Sequence, residues 1–168
     1  MHLIENLMKK LILIRHAKSS WEYDVEDRKR PLNNRGNIDA ALVSKEFNIR
    51  KFNIDAVFSS PANRALLTCK IFLKNLNIDN NLLTISEDLY DFGGQSVMNF
   101  IKKIENKYDN VMIFGHNNAL TYLVNLYGSI YIDNLPTSGL VCIDFNISSW
   151  KEIQKGITKT ILIPKDLK

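Results

Sequence analysis

Apolar residues occur along the chain in continuous runs that predict buried strands. Residues 11–14 and 111–114 each hold four apolar side chains in succession, a pattern typical of strands covered on both faces of a parallel sheet. Further runs rich in apolar residues predict strands at residues 56–58, 82–85, 140–145 and 160–163. These runs together predict one sheet, with a parallel part formed around residues 11–14 and 111–114.

Between the strands, apolar residues recur at the three-and-four spacing of amphipathic helices. Ser59, Ser60 and Pro61 offer a capping hydroxyl and a proline for a first helical turn. The apolar face of the helix that follows is expected to comprise Ala62, Ala65, Leu66, Cys69, Phe72, Leu73 and Leu76. This helix is expected to pack on the sheet.

The same spacing predicts three further helices. The first is expected to begin near Arg35 or Gly36, the second to follow a turn at Gly93–Gly94 with Ser96 as its cap, and the third to follow Asn117. Their inward faces are expected to be Ile38, Ala41 and Leu42; Val97, Phe100, Ile101, Ile104 and Tyr108; and Leu120, Leu123, Val124 and Tyr127. Strands and helices thus alternate, which indicates an α/β protein.

One long polar segment interrupts this alternation. Residues 18–34 carry Trp21, Arg28, Arg30 and Pro31 among many charged residues, and this composition is too irregular for a core element. Long loops of this kind are often functional.

The length and composition restrict the class of protein. At 168 residues the chain is long enough for one domain with a proper core, and two halves would each bury too little surface, so we expect a single domain over residues 1–168. With 45% hydrophobic and 24% charged residues, neither a disordered chain nor a membrane protein is predicted. No apolar stretch has the length of a bilayer span.

The net charge of +4 favours an anionic ligand of the size of a phosphate. The lysines are scattered through every segment with acidic residues among them, which disfavours a nucleic-acid groove. Cys69 and Cys142 lack the paired spacing of a metal site, and two isolated thiols fit a reducing compartment, so we expect a cytoplasmic protein. Met8 would also make a natural start, and residues 1–7 are expected to form a short N-terminal extension.

Candidate reactive residues stand where predicted strands end. Arg15 and His16 follow the strand 11–14, His116 follows the strand 111–114, and Arg64 lies in the first turn of the helix after Pro61. Ligands of α/β proteins bind beyond the carboxyl ends of parallel strands, and helix N-termini favour anions. Each residue alone also fits an ordinary structural role, but together they predict a crevice that binds a phosphoryl group.

A metal site is the competing interpretation of the two histidines. Zinc and similar metals need further cysteine, histidine or carboxylate ligands, and no clear cluster of these accompanies His16 and His116. We therefore predict neither a metal nor another cofactor.

Several motifs carry a resemblance to a known family. Residues 13–21, LIRHAKSSW, resemble the signature of the histidine phosphatase superfamily, the phosphoglycerate-mutase-like proteins, in the form found in SixA-type phosphohistidine phosphatases. Residues 31–36 (PLNNRG), 59–65 (SSPANRA), 115–117 (GHN) and 136–139 (PTSG) resemble later motifs of the family in the same order. The resemblance implies a three-layer α/β/α sandwich with a mostly parallel central sheet and helices on both faces.

The resemblance also implies roles for individual residues. It makes His16 the nucleophile that accepts the phosphoryl group, and Arg15, Arg64 and His116 the ligands of its oxygens. Further substrate-binding residues are expected at Lys18, Ser19, Asn117 and Thr137. A nucleophilic imidazole must be neutral, and neighbouring guanidinium groups lower its pKa. A hydrogen bond from its other ring nitrogen to a backbone carbonyl is expected to set the tautomer.

The position of a general acid is left open. Relatives of the phosphoglycerate-mutase type supply a glutamate from a loop that corresponds to residues 86–94, where Glu87, Asp88 and Asp91 are all available. Asp88 is the preferred candidate, although all three also fit as solvated carboxylates. Imidazole, with a pKa of about 6.5, leaves phosphorus more easily than an alkoxide does, so a poorly placed acid favours a substrate with an N–P bond.

The predicted function is that of a cofactor-independent hydrolase that removes phosphoryl groups from phosphohistidine in proteins by way of His16. One alternative is a phosphomonoesterase or mutase that acts on a small phosphorylated metabolite. An alternative of another class is an inactive module that binds phosphate for regulation. The expected partner is a phosphohistidine-bearing protein, and the chain itself is expected to be a monomer that binds neither nucleic acid nor membranes.

Overall fold

In a computed structural model, which describes residues 8–48 and 53–168, six strands form one sheet. The strands are β1 (Lys9–Arg15), β2 (Ala56–Ser59), β3 (Leu83–Ile85), β4 (Asn110–Gly115), β5 (Leu140–Phe145) and β6 (Ile157–Leu162). The helices are α1 (Asn34–Asn48), α2 (Asn63–Leu76), α3 (Gln95–Lys102) and α4 (Ala119–Tyr127). The predicted extension at residues 1–7 lies outside the described residues.

The strands lie in the order β3-β2-β4-β1-β5-β6. The first four of these are parallel to one another, and β5 pairs antiparallel with both β1 and β6. Arg15 lies opposite Gly115 in the pairing of β1 with β4, and the His16 amide donates to the Gly115 carbonyl at 3.0 Å. His16 and His116 therefore leave the sheet side by side at the same edge.

Helices cover both faces of the sheet, so the predicted α/β class and layer arrangement are confirmed. Alternate residues of β1 point to opposite faces, because side chains alternate along a strand: Leu11 and Leu13 contact the core beneath α3 and α4, and Ile12 and Ile14 contact the core beneath α1 and α2. All four are fully buried. Burying each such side chain stabilises the fold by about 1.5–3 kcal/mol, which explains the continuous apolar run.

The inward face predicted for α1 is wrong. Ile38 is 63% exposed and Ala41 and Leu42 are only half-buried, whereas the buried stripe includes Val43 and Phe47. The reason is the close approach of Gly36 to the preceding loop: a Cβ at this position would lie 2.2 Å from the backbone oxygen of Lys18. Gly36 lies on the same buried stripe of α1 as Val43 and Phe47.

Both predicted helix caps are also wrong. Helix α2 begins at Asn63 after Ala62, and the Ser60 hydroxyl instead accepts a hydrogen bond from the Ala62 amide at 3.2 Å. Helix α3 begins after Gly94, and the Asp91 carboxylate, rather than the side chain of Ser96, accepts hydrogen bonds from the amides of Gly94 and Val97 at its start. Side chains from a preceding loop can satisfy these amides as well as a cap residue can.

Other boundaries and faces differ by smaller amounts. The inward residues of α2 are buried as predicted except Leu66 and Leu76, which are half-buried, and helix α3 ends before Ile104 and Tyr108. Leu82 belongs to a short 3-10 turn before β3, and β6 begins three residues before the predicted 160. The inward residues of α4 are all buried as predicted. No helix in the described ranges has the length and apolar character needed to cross a membrane.

Candidate active site

His16 follows the carboxyl end of β1 and is 9% exposed as a residue. Its Nδ1 lies 2.8 Å from the carbonyl oxygen of Ala17. A carbonyl only accepts, so Nδ1 carries the proton and Nε2 presents its lone pair. Thr68 of helix α2 secures this arrangement, because its hydroxyl accepts a hydrogen bond from the Ala17 amide at 2.8 Å. The backbone carbonyl expected from the chemistry is therefore that of Ala17.

The environment of His16 keeps its imidazole neutral. Burial, opposed by the hydrogen bond to Ala17, lowers the pKa of His16 from 6.5 to about 4, and the positive charges of Arg64, Arg15 and Arg30 contribute to the decrease. Desolvation exceeds the guanidinium effect anticipated from the sequence, because a charged imidazole loses its hydration in this position. The His16 imidazole is thus neutral at physiological pH.

His116 lies against His16 at the end of β4, with the two ring centroids 5.2 Å apart. Its Nε2 lies 2.8 Å from the hydroxyl of Ser60, and the rings of Tyr90 and Phe92 contact it at centroid distances of 5.3 and 5.0 Å. Burial lowers the pKa of His116 to about 3, assisted by His16 and Arg64. This ring is therefore neutral as well.

The two arginines approach from different elements. The Arg15 Nη1 donates to the Leu135 carbonyl at 2.9 Å, and burial lowers the pKa of the Arg15 guanidinium. Arg64, in the first turn of α2, is almost fully buried; its Nη1 and Nη2 donate to the backbone oxygen and the carboxylate of Asp27 at 2.7 and 3.0 Å. Hydrogen bonds from their terminal nitrogens therefore hold both guanidinium groups in place.

Asp27 is a residue of the site that the sequence reasoning missed. Its Oδ2 accepts hydrogen bonds from Arg64 and from the Tyr90 hydroxyl, and its Oδ1 accepts two from Arg30. Burial alone would raise the pKa of this carboxyl, but these hydrogen bonds outweigh burial and lower the pKa to about 2. The ring of Trp21 stacks on Arg30 at 3.6 Å. The long polar loop thus supplies an ionised carboxylate that orients Arg64.

Several buried polar atoms at this edge of the sheet have no protein partner. Among the described residues, the buried side-chain atoms without a hydrogen bond are Arg15 Nε, Arg64 Nε, His116 Nδ1, Ser138 Oγ and Asp39 Oδ1. Of these, Asp39 lies elsewhere and faces Lys168 at 3.0 Å, while the Ser138 amide lies 3.2 Å from the carbonyls of Arg15 and His16. Buried polar groups are rarely left unpaired, so these atoms around His16 point to a polar ligand with several acceptor oxygens.

The further substrate-binding residues expected from the sequence lie near this edge of the sheet and differ in their exposure and hydrogen bonds. Ser19 is buried and accepts a hydrogen bond from Arg30, whereas Lys18 is exposed and Thr137 is half-buried. The Asn117 side chain donates to Asn134 and Leu135 and accepts from Thr121. Asn117 therefore holds the start of α4 against the loop before β5, and substrate contacts by these four residues stay predictions.

The three candidate acids occupy different positions. The Asp91 carboxylate accepts hydrogen bonds from the amides of Gly93, Gly94 and Val97, and Glu87 forms an exposed ion pair with Arg28. Asp88 is exposed and lines a surface cleft together with the outer residues of α3. Asp91 thus caps a helix, Glu87 is paired, and the cleft that Asp88 lines does not include either histidine.

The donor set around His16 suits an anion better than a cation. No group of three or more histidine, cysteine, aspartate or glutamate side chains placed to hold a metal occurs within residues 8–48 and 53–168. The groups that converge on His16 are guanidinium N–H donors and a second, neutral imidazole, and the positive charge of the guanidinium groups attracts oxyanions.

The low histidine pKa values predict that the fold loses stability in mild acid. Each imidazole has a pKa near 6.5 when unfolded and of about 4 or about 3 when folded, so the unfolded chain binds protons first as the pH falls. The two neutral histidines therefore make their full contribution to the free energy of unfolding above about pH 6.5. Between pH 7.5 and pH 5, the free energy of unfolding is expected to fall by roughly 2 kcal/mol per histidine. Urea unfolding at the two pH values measures this loss.

Matched variants identify the source of this pH dependence. His16→Gln and His116→Gln are each expected to remove about half of it, because glutamine does not titrate and the other histidine still does. The Asp27 carboxyl, with its pKa lowered to about 2, contributes a loss only below about pH 4. An unfolding free energy that is equal at pH 7.5 and pH 5 would contradict the neutral state assigned to both rings.

Comparisons with known sequences give a consistent result. Residues 11–93 match the family model of the histidine phosphatase superfamily, branch 1. An uncharacterized protein of Mycobacterium tuberculosis is 26% identical over 153 residues, which covers 85% of this chain and 93% of that protein. An uncharacterized chloroplastic protein of Arabidopsis thaliana is 26% identical over 157 residues, which covers 88% of this chain and 71% of that protein.

Solved structures share the fold over nearly the full length. A structure of the protein histidine phosphatase SixA complexed with tungstate has a TM-score of 0.79 and 21% identity, and the match covers 95% of this chain and 99% of the SixA chain. The SixA structure from Agrobacterium tumefaciens has a TM-score of 0.76 and 24% identity, and the match covers 93% of this chain and 98% of that chain. A phosphoglycerate mutase from Bacillus anthracis has a TM-score of 0.64 and 16% identity, and the match covers 94% of this chain and 93% of the mutase chain.

Proposed function

The chain belongs to the histidine phosphatase superfamily, and from this premise we propose that it is a metal-independent phosphatase that transfers a phosphoryl group to His16 and then to water. The single observation that carries the proposal is the set of unpartnered buried donors around a neutral imidazole. Arg15 Nε, Arg64 Nε and His116 Nδ1 have no protein acceptor. His16 presents the lone pair of Nε2 among them, because Nδ1 donates to Ala17.

In the first step, His16 Nε2 forms a bond to phosphorus while the bond from phosphorus to the leaving atom breaks and its electron pair moves to that atom. Charge on the three transferring oxygens is stabilised by the N–H groups of Arg15, Arg64 and His116. Fixed donors of this kind supply much of the catalysis in phosphoryl transfer, since they need no reorganisation during the reaction. The Ala17 carbonyl stabilises the positive charge that develops on the imidazole.

In the second step, a water oxygen forms a bond to phosphorus and the bond to His16 Nε2 breaks. The electron pair returns to Nε2, a proton of the water passes to solvent, and inorganic phosphate leaves. His16 keeps its Nδ1 proton through both steps, so the hydrogen bond to Ala17 is maintained. The enzyme is thereby restored without a cofactor.

The substrate class follows from the leaving group. Glu87 is paired with Arg28, Asp91 accepts from helix amides, and Asp88 lines a cleft whose residues do not include the histidines. None of these three carboxyl groups is therefore placed to protonate an alkoxide leaving group. A phosphohistidine protonated on its far nitrogen needs none, because its imidazole leaves as a neutral molecule. We therefore propose a phosphohistidine-bearing protein as the substrate.

The alternative within enzymes is a phosphatase or mutase for a small phosphorylated metabolite. In that case Asp88 or Glu87 would have to turn toward the histidines and protonate the leaving oxygen. The alternative of an inactive phosphate-binding module requires no nucleophile, and the Ala17 hydrogen bond that exposes the Nε2 lone pair argues against it.

A substrate panel tests the proposal against both alternatives. Phosphate release from a phosphohistidine peptide, an aryl phosphate and an alkyl phosphate is expected to be fast for the first and slow for the last. Asp88→Asn is expected to change the rate on the phosphohistidine peptide by less than about twofold, since an imidazole leaving group needs no acid. Faster turnover of the alkyl phosphate, with a large loss in Asp88→Asn, would favour the metabolite enzyme. Phosphate binding without release from any compound would favour the inactive module.

A further inference from the structure

Ser60 is a fully buried serine between strand β2 and helix α2. Its amide donates to the Phe114 carbonyl at 3.1 Å, which places the side chain beside the end of β4. Its hydroxyl oxygen accepts a hydrogen bond from the Ala62 amide at 3.2 Å and lies 2.8 Å from His116 Nε2. The hydroxyl therefore joins the start of α2 to one ring nitrogen of His116.

The direction of the Ser60–His116 hydrogen bond follows from proton counting. A serine hydroxyl has one proton to donate, and Ala62 already donates to the Ser60 oxygen. Within the described residues, His116 Nε2 is the acceptor within reach of the Ser60 proton. A buried hydroxyl proton without an acceptor is unfavourable, so Ser60 donates and Nε2 accepts.

The geometry points to a positioning role: we propose that the Ser60 hydroxyl holds His116 in the neutral tautomer that carries its proton on Nδ1. Nδ1 is the His116 nitrogen without a protein partner, and it lies on the opposite side of the ring from Ser60. As an N–H group it donates to a phosphoryl oxygen, whereas in the other tautomer its lone pair would repel that oxygen. The catalytic part of this inference rests on the proposed function.

The two histidines then share a tautomer but act in opposite ways. Both rings carry the proton on Nδ1. In His16 this N–H donates a hydrogen bond to the Ala17 carbonyl, whereas in His116 it has no protein acceptor and can donate to the ligand. His16 thus offers a lone pair to phosphorus and His116 offers an N–H to oxygen. Since burial also keeps His116 neutral, this ring stabilises charge on the transferring group and does not protonate the leaving group.

The tautomer of His116 is measured directly by 15N NMR of the ligand-free protein near neutral pH. In the wild type we expect Nδ1 to show the chemical shift of a protonated ring nitrogen and Nε2 that of an unprotonated one. Ser60→Ala is expected to move the ring toward the Nε2–H form, and Ser60→Thr, which keeps the hydroxyl, to preserve the wild-type shifts. Ser59→Ala is a matched control, since the Ser59 hydroxyl donates to a backbone oxygen and not to His116.

Kinetics provide a second measurement. With a phosphohistidine peptide, Ser60→Ala is expected to lower kcat by about 10- to 100-fold, less than the roughly 100- to 1,000-fold typical of removing such a donor entirely, because His116 remains. Ser60→Thr is expected to recover most of the rate. KM is expected to change less than kcat.

The wild-type NMR measurement needs no variant, so a Ser60→Ala protein that fails to fold does not prevent the test. A proton on Nε2 in the wild type, or unchanged His116 shifts in a folded Ser60→Ala protein, would overturn the inference. A wild-type protein with the Nδ1 proton but no turnover of any phosphoryl compound would instead overturn the proposed function and leave the tautomer assignment intact.

Discussion

Replacing His16 with alanine is expected to lower the rate of phosphate release from a phosphohistidine peptide by about 10⁴-fold or more, as when the nucleophile of an enzyme with a covalent intermediate is removed. The variant loses the Nε2 lone pair but retains Arg15, Arg64 and His116, so phosphate analogues should still bind. Steady-state release of inorganic phosphate measures the effect.

A trapping experiment shows whether His16 carries the phosphoryl group. Brief reaction of the wild-type protein with radiolabelled substrate is expected to leave acid-labile label on the chain, as a phosphoryl group on imidazole would be, and none on His16→Ala. Circular dichroism establishes that the variant is folded. Turnover by His16→Ala at the wild-type rate would refute the proposed mechanism.

Replacing Arg64 with alanine is expected to lower kcat/KM by about 10³-fold, the size of effect seen when an arginine that stabilises a transferring phosphoryl group is lost. The guanidinium is almost fully buried beside His16, and its Nε is unpaired. Arg64→Lys is expected to recover little of the rate, because an ammonium group cannot bind the phosphoryl oxygens and Asp27 in the same fork. Kinetics with the phosphohistidine peptide provide the measurement.

Two further variants show that the loss reflects the position of Arg64. Lys70→Ala removes a positive charge from an exposed position on the same helix and is expected to leave kcat/KM within about twofold of the wild type, since screened charges act weakly at a distance. Asp27→Asn keeps a side chain of similar shape but weakens the ion pair, and an intermediate loss is expected. Equal losses in Lys70→Ala and Arg64→Ala would indicate a general charge effect and contradict the assigned role.

The family could be predicted from the sequence because its reactive residues lie in short local motifs. Arg15 and His16 directly follow four apolar residues, and His116 follows a second such run. Parallel strands place these residues at one edge whatever the details of packing. The predicted membership of the histidine phosphatase superfamily and the α/β fold are both confirmed.

The partners of these residues could not be predicted because they are distant in sequence. Asp27 lies 37 residues from Arg64, and Ser60 lies 56 residues from His116. Nothing in the local pattern distinguishes Asp27 from the other acidic residues of its loop. Likewise, the exposure of Ile38 depends on how α1 packs in the folded chain.

The sequence by itself determined the order of strands and helices and the family, and it led to the residues proposed to carry the chemistry, because these depend on hydrophobic periodicity and on motifs of a few adjacent residues. Only the tertiary structure decided the protonation of His16 and His116, the orientation of Arg64 by Asp27, and the use of Asp91 as a helix cap. Burial and hydrogen bonding set these properties, and both depend on segments that meet only after the chain has folded.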